Sequence, residues 1–251
     1  MKLKELLKIL SDAKESIKAE TPFIVGGAVR DKYLNNLSNI LDIDITNGSS
    51  SINLLSEEFF NKLKENYNVK RKVMSDGHSS VMVGDLKIDF SSNFILNSIN
   101  EVLEKKNIKN PTNLQKEIYS RDFTCNTLLM TMDLKNIVDP TKQGFNDINK
   151  KIIKTCLEPN ITLTSNRNRV IRAIYLACKL DFDIDKSIIE YVKKYPNTVK
   201  VASQSTLEEK LNTSFEKDSD KASFFINQMN LWDYIPITKE IYPFYLKRKK
   251  Q

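Results

Sequence analysis

The sequence predicts an α/β (α+β) fold in which residues 1 to about 150 combine strands with helices, whereas residues 151–251 are all-helical. Two observations predict this division. Short apolar segments with period-2 alternation, which is typical of strands, recur as far as residue 132. From about residue 151 they are replaced by apolar residues spaced three and four apart, the pattern of amphipathic helices.

The front half contains five segments in which apolar or β-branched residues recur in the way that strands require. They are PFIVGG (22–27), LDIDIT (41–46), SSVMVG (79–84), DLKIDF (85–90) and CNTLLMTM (125–132). Leu3, Leu6, Leu7 and Leu10 indicate an amphipathic helix at the start, and residues 59–67 indicate another.

The rear half contains four segments with helical spacing and no strand pattern. They are RVIRAIYLACKL (169–180), SIIEYVKKY (187–195), TLEEKLNTSF (206–215) and KASFFINQMNLW (221–232). Ser187, Ser205 and Thr206 are predicted as N-caps, because a hydroxyl can accept a hydrogen bond from a first-turn amide.

Composition excludes some classes of protein and favours others. With 39 Lys and Arg against 32 Asp and Glu, the net charge of +7 favours a polyanionic partner. A mean hydropathy of −0.41, without an apolar stretch near the roughly 20 residues of a membrane span, predicts no membrane association. Lys and Glu interrupt the apolar residues of MKLKELLKIL, so a secretory signal is not expected.

Cysteine and histidine usage bounds the chemistry. Cys125, Cys156 and Cys178 are odd in number and widely spaced, which favours a reduced, cytoplasmic location over a disulfide framework. His78 is the single histidine, so a multi-histidine metal site is excluded and a hydrolase triad would have one candidate base. Any metal chemistry must therefore use carboxylates.

Three carboxylates in two predicted strands form a candidate metal site. Asp42 and Asp44 alternate at period 2, so both project from one face of their strand. Asp89 lies late in another strand, which pairing could bring beside them. Three carboxylates are hard oxygen ligands suited to Mg²⁺ held together with substrate phosphates. The alternative is a set of acidic residues on a solvated edge.

A glycine pair follows the first predicted strand. Gly26 and Gly27 would let the backbone approach a ligand closely, and a helix beginning there would direct its N–H groups at phosphate. Arg30 could contact the same phosphate. The alternative for Arg30 is an ion pair with the adjacent Asp31.

Six motifs follow one another along the chain: GGAVRD (26–31), DID (42–44), KIDF (87–90), SRDFTCNT (120–127), DPTKQGFNDI (139–148) and NRVIRAIYLACKLDF (168–182). In this order they resemble the motifs of the class II tRNA nucleotidyltransferase/poly(A) polymerase family, within the polymerase-β-like nucleotidyltransferase superfamily. The similarity covers roughly residues 1–237. It implies a catalytic head with a mixed β-sheet over residues 1–150 and an all-α neck over 151–251, with the family's body and tail largely absent.

The resemblance also implies roles for individual residues and a Mg²⁺ cofactor. Asp42 and Asp44 match the metal-binding pair, and Asp89 falls where a further carboxylate commonly lies. Gly26, Gly27 and Arg30 match the motif that holds the triphosphate. Arg121 and Asp122 match the segment that recognises the sugar of the nucleotide, and Asn126 lies in the same motif. The alternative for Arg121 and Asp122 is a helix-start cap with a charge pair.

The sequence departs from the family pattern at three places. Ser165-Asn166-Arg167-Asn168-Arg169 stands where the family has Glu-Asp-x-x-Arg, so Asn166 replaces the base-reading Asp while Arg169 and Arg172 remain. Because they are spaced three apart, Asn166 and Arg169 are predicted to be neighbours on one helical face. The amide in place of the carboxylate predicts looser base selection, or selection shifted toward one nucleotide. The alternative is a helix start with Asn166 as N-cap. Ser120 replaces an Arg, and residues 92–111 lack the family pattern.

The expected activity is template-independent transfer of a nucleoside monophosphate from CTP or ATP to an RNA 3′-OH, with release of pyrophosphate. Addition of CCA or A to tRNA is the first expectation, and poly(A) tailing is the second. A noncatalytic RNA-binding remnant is the third. An RNA 3′ end, ATP and CTP are the expected partners, and the oligomeric state stays open.

Overall fold

The computed structural model describes residues 3–36, 41–75, 78–91, 95–201 and 203–248. The chain divides into two compact units. The first comprises Met1–Arg121 and Cys125–Gly144, and the second comprises Asp122–Thr124 and Phe145–Gln251. The assignment of residues 1–150 to a catalytic head and 151–251 to a neck stays a prediction.

A mixed sheet forms the centre of the first unit. In the described residues it has seven strands in the order β3-β4-β5-β2-β1-β6-β7, in which β2 and β5 are parallel and the other neighbours antiparallel. The predicted mixed α/β class is thereby confirmed. The strands are β1 (Phe23–Val25), β2 (Asp42–Thr46), β3 (Val69–Val73), β4 (Ser79–Val83), β5 (Leu86–Phe90), β6 (Leu129–Met130) and β7 (Ile137–Val138).

One face of this sheet is covered by apolar packing. Ile43 and Ile88 are register partners and are fully buried. Phe59 packs against Phe90 with ring centroids 5.9 Å apart. The helices of the first unit are α1 (Leu3–Ile17), α2 (Gly27–Tyr33), α3 (Ile52–Lys64), α4 (Ile99–Lys105) and α5 (Asn113–Tyr119). The next helix, α6 (Gly144–Asn149), belongs to the second unit from Phe145 onward.

Two differences from the predicted elements have physical reasons. β3 has the sequence VKRKV, whose three basic residues hide the strand pattern, and it is an edge strand, where charged side chains are tolerated. The predicted strand 125–132 is reduced to two residues, because Thr124–Asn126 forms a 3₁₀ turn.

Helices dominate the second unit, and each of the four predicted helical segments contains a helix, although in the segment 221–232 the helix ends at Gln228. They are α8 (Asn168–Leu180), α9 (Lys186–Lys194), α10 (Gln204–Lys217) and α11 (Ser219–Gln228), together with α7 (Pro159–Ser165) and α12 (Tyr242–Arg248). Buried apolar residues hold them together, among them Val170, Ile174, Leu211 and Ile226.

Two expectations for the rear half are wrong in detail. β8 (Ile152–Ile153) and β9 (Asp183–Ile184) form a short parallel pair, so the segment is not purely helical. The predicted N-caps are also displaced. Asp185 caps α9 by accepting a hydrogen bond from the Ser187 amide, and Ser203 is the N-cap of α10.

The cysteines Cys125, Cys156 and Cys178 are all buried, and no disulfide joins them. Burial, with the nearby charge of Asp218, raises the pKa of the Cys178 thiol to about 12. In the described part of the chain, no helix has the length and apolar character needed to cross a membrane.

Candidate active site

The three predicted carboxylates lie on one face of the central sheet. The parallel register of β2 and β5 places Asp44 opposite Asp89 and Asp42 opposite Lys87. Because side chains alternate along a strand, all four point to the face opposite Ile43 and Ile88. Strand pairing therefore brings Asp89 beside the pair that is close in sequence.

The electrostatics of the two β2 carboxylates reflect their crowding. Burial raises the pKa of Asp44, Arg121 opposes this rise, and the charges of Asp42 and Asp89 add to it. Burial also raises the pKa of Asp42, where Lys87 acts against the rise and Asp89 reinforces it. Like charges held this close carry a cost that a bound cation would relieve.

The donor set fits a hard divalent cation. One oxygen of Asp89, Oδ1, is buried without a hydrogen-bond partner, and the other is paired with Lys87. Carboxylate oxygens are the ligands that Mg²⁺ prefers. Among the described residues, however, no group of three His, Cys, Asp or Glu side chains is already gathered closely enough to hold an ion. The carboxylates would have to converge on a metal when it binds.

The backbone at Gly26 is built around the Asp44 carboxylate. Gly26 has φ +82°, which L side chains rarely adopt. A Cβ added there would lie 2.7 Å from Asp44 Oδ2, closer than real Cβ atoms come to another heavy atom. The positive φ and this close approach together favour glycine at this position, and its lack of a side chain leaves open the approach to Asp44.

Arg30 makes internal contacts in the first unit. The side chain is 3% exposed. Its Nε and Nη2 donate to Asp31 Oδ1 at 2.8 and 2.7 Å, and Nη1 donates to Asn126 Oδ1 at 2.7 Å. The ion pair with Asp31 is thus present, and contact of Arg30 or Asn126 with a nucleotide stays a prediction.

Glu117 was not anticipated from the sequence. It is 3% exposed, accepts a hydrogen bond from Thr46 Oγ1 at 2.5 Å and pairs with Arg121 Nη2 at 3.2 Å. Arg121 in turn interacts electrostatically with Asp44. Burial raises the pKa of Glu117, and Arg121 and Thr46 oppose the rise. Its spacing of four residues before Arg121, near the end of a helix, is the signal that could have identified it.

Asp122 lies in the second unit and has a long-range partner there. Its Oδ2 accepts from Arg172 Nε at 2.8 Å, and its Oδ1 accepts from the Phe123 amide at 2.8 Å. The expected alternative paired Asp122 with the adjacent Arg121, whereas the observed ion pair joins residues fifty positions apart. The Arg172 side chain is 43% exposed.

The expectation that Asn166 and Arg169 share a helical face is wrong. Asn166 has extended backbone (φ −150°, ψ 108°), and α8 begins only at Asn168. The exposed Asn166 side chain accepts from the Asn168 amide at 3.1 Å, close to the alternative of a helix-start cap. Arg169 is 7% exposed, and its Nη1 donates to Thr162 O and Ser165 Oγ at 3.0 and 2.9 Å.

Ser120, which stands where the family has an arginine, is fully buried in the first unit. Its hydroxyl donates to Lys116 O at 2.7 Å and accepts from the Leu96 amide at 3.1 Å. The serine thus ties the segment after β5 to the end of α5. In the departing stretch 92–111, residues 92–94 lie outside the described part, and α4 occupies Ile99–Lys105.

Two curated relatives are similar to this chain over most of its length. The chain is 25% identical over 232 residues to tRNA nucleotidyltransferase cca2 of Schizosaccharomyces pombe, covering 86% of this chain and 48% of the relative. It is 26% identical over 205 residues to a CCA-adding enzyme of Limosilactobacillus reuteri, covering 77% and 46%. The chain thus spans about half the length of these curated relatives.

Solved structures show the same fold. The CCA-adding enzyme of Bacillus stearothermophilus in complex with CTP superposes with a TM-score of 0.72 at 20% identity, covering 94% of this chain and 55% of that one. The family model of the poly A polymerase head domain matches residues 22–154, more than half of the chain. The protein therefore belongs to the poly A polymerase head domain family, the nucleotidyltransferases that its motifs resemble.

Proposed function

We propose that the protein is a Mg²⁺-dependent, template-independent nucleotidyltransferase that extends an RNA 3′ end from CTP or ATP and releases pyrophosphate. The observation that carries the proposal is the single sheet face on which Asp42, Asp44 and Asp89 lie together beside Gly26. This is the arrangement that metal-assisted phosphoryl transfer requires, because carboxylates must hold cations against both the attacking and the leaving oxygen.

The site residues of the first unit each have a role in the proposed function. Asp42, Asp44 and Asp89 would hold magnesium, which when bound activates the RNA hydroxyl and offsets the charge of the triphosphate. Gly26 leaves space for phosphate next to Asp44. Arg121, which neighbours Asp44 and is fixed by Glu117, supplies a cation that can stabilise a phosphate.

The second unit supplies the candidates for nucleotide selection. Asp122 can accept a hydrogen bond from a ribose hydroxyl while keeping its pair with Arg172. The exposed Asn166 amide can both donate to and accept from a base, unlike the carboxylate of the family pattern. Arg169 is used to hold α7, so its proposed contact with the base would require rearrangement.

The proposed substrate is tRNA, and the proposed product is its CCA or A terminus. The names of the curated relatives support this substrate. The net charge of +7 suits a polyanionic RNA. The three buried cysteines, none of which is in a disulfide, suit a reducing compartment such as the cytoplasm.

Extension assays test the proposal. Purified protein is incubated with Mg²⁺, labelled nucleotides, and either tRNA lacking its terminus or an unstructured oligo(A) primer. Products that stop after CCA or A on tRNA support the proposal, and long A-tails identify a poly(A) polymerase instead. RNA binding without any incorporation would identify a noncatalytic remnant.

A matched pair of variants ties any activity to the site. Asp42→Ala should abolish incorporation, because it removes a metal ligand. Asp85→Ala removes an exposed carboxylate from the β4–β5 turn and should leave incorporation unchanged. Far-UV circular dichroism verifies folding, and appreciable extension by Asp42→Ala would contradict the proposed site.

A further inference from the structure

The carboxylate face of the sheet has a fourth position, and a lysine occupies it. In the parallel register of β2 and β5, Asp42 stands opposite Lys87 and Asp44 stands opposite Asp89. Residues two apart on a strand share a face, so the four side chains form a square with three anions and one cation. The lysine belongs to the motif KIDF and is not one of the candidate metal ligands.

Lys87 is engaged with the square rather than with solvent alone. Its Nζ donates to Asp89 Oδ2 in a close ion pair, with the side chains 44% and 22% exposed. Burial by itself lowers the pKa of the Lys87 ammonium. The hydrogen bond to Asp89 and the charges of Asp89, Asp42 and Asp44 outweigh this effect, so the pKa lies above its ordinary value.

The position of the ammonium conflicts with metal binding at Asp89. A divalent cation on Asp89 would share the carboxylate with the ammonium, because Lys87 already holds Oδ2 and leaves only Oδ1 without a partner. Two cations within a few ångströms also repel each other. Because the lysine has a long stem and its side chain is nearly half exposed, the ammonium can leave Asp89 without unfolding the strand.

We propose that Lys87 is a built-in counter-ion of the carboxylate face, which neutralises it when metal is absent and competes with a divalent cation for Asp89. The proposal rests on the proposed function, in that the carboxylates bind metal. Its consequence is that free metal binds weakly until the ammonium has moved. The lysine thereby tunes metal affinity without being a metal ligand.

Direct metal titration tests the competition without relying on activity. Mn²⁺, added to nucleotide-free protein, is followed by the electron paramagnetic resonance signal of the free ion. Lys87→Met should bind Mn²⁺ at least about threefold more tightly than the wild type, in line with a partly exposed ion pair. Lys87→Arg keeps the charge and should bind within about twofold of the wild type.

The control is Lys70→Met. Lys70 is exposed on β3, and the register of β3, β4 and β5 places it on the same face as Lys87, two strands away. The Lys70→Met variant removes the same positive charge, but at about one Debye length from the carboxylate face. Its Mn²⁺ affinity should therefore differ from that of the wild type by less than about twofold. A second measurement is the melting temperature. In EDTA, Lys87→Met should melt at a lower temperature than the wild type. When excess Mn²⁺ replaces EDTA, the melting temperature of Lys87→Met should rise by more than that of the wild type.

Each outcome is decisive. Equal Mn²⁺ affinity of Lys87→Met and the wild type, or an equal gain for Lys70→Met, overturns the role of Lys87 and leaves the proposed function standing. If neither the wild type nor Lys87→Met binds Mn²⁺, both the metal site and the counter-ion are overturned. If Lys87→Met does not fold, Lys87→Gln takes its place in the same titration.

Discussion

Asp44 and Asp89 are register partners in two neighbouring parallel strands, although forty-five residues separate them in sequence. Parallel pairing places side chains of equal height on the same face, so the two carboxylates are held next to each other by main-chain hydrogen bonds. The Gly26 backbone and the Arg121 side chain lie near the Asp44 carboxylate, and Lys87 forms an ion pair with Asp89. The arrangement therefore affects both folding stability and nucleotide incorporation, and single variants measure each.

Asp44→Asn should stabilise the metal-free protein, and the gain should grow with pH. Folding raises the pKa of Asp44 above its ordinary value of 3.8, because of burial and then the neighbouring carboxylates. The Asp44 carboxyl group thus contributes to folding stability an amount that is fully present below pH 3.8 and is lost as the pH rises through its raised pKa. Denaturant unfolding in EDTA at several pH values measures the difference between the two proteins.

The same comparison with saturating Mg²⁺ supplies the control for Asp44→Asn. A cation bound to the wild type stabilises its folded state by mass action, so the advantage of the amide should shrink or reverse. A pH-independent difference in EDTA, or a gain that Mg²⁺ does not reduce, would contradict the electrostatic account of this site.

Gly26→Ala should lose most nucleotide incorporation and about 1–3 kcal/mol of stability. The new Cβ would meet Asp44 Oδ2 at 2.7 Å, so either the carboxylate or the backbone must move. Gly84→Ala is the matched control, because φ is +59° there and an added Cβ meets nothing within 4 Å. It should cost about 1 kcal/mol and leave incorporation intact. Equal activity of the two variants would refute the steric argument.

Glu117→Ala should destabilise the protein by about 3 kcal/mol, because it removes the buried ion pair with Arg121 and the hydrogen bond from Thr46 Oγ1. Incorporation should fall as well, since Arg121 is no longer held near Asp44. Glu57→Ala removes an exposed carboxylate that lies 3.9 Å from Arg71, which keeps its hydrogen bonds to Ser56 and Asn53 O, and should change stability by less than about 1 kcal/mol. Urea unfolding with steady-state kinetics separates the variants, and a loss for Glu117→Ala no larger than that for Glu57→Ala would contradict the network.

Asn166→Asp should narrow base selection toward CTP and ATP over UTP. A carboxylate accepts from the exocyclic amines of cytosine and adenine but repels the carbonyl of uracil, whereas an amide can donate to it. Stability should stay within about 0.5 kcal/mol, because an aspartate can also accept from the Asn168 amide. Incorporation kinetics with each of the four nucleotides decide the matter, and identical preferences in both proteins would remove Asn166 from selection.

Much of the fold was predictable from local pattern. The alternation in LDIDIT and DLKIDF predicted β2 and β5, since one side of each strand must be buried. The helical spacing in residues 169–180 predicted α8 to within one residue. Strand β3 and the caps of α9 and α10 escaped prediction, because charged edge strands and cap choice depend on neighbours rather than on periodicity.

Local sequence determined the chemical character of the site: three carboxylates, a glycine pair and a single histidine predicted oxygen-ligand metal chemistry. Only the tertiary structure decided how these groups meet. It made Asp89 the register partner of Asp44, and Lys87 that of Asp42. It joined Glu117 to Arg121 in an ion pair and placed the Gly26 backbone next to the Asp44 carboxylate. The physical reason is that alternation along a strand reports which face a side chain takes. The register that pairs distant strands is set by packing across the whole sheet.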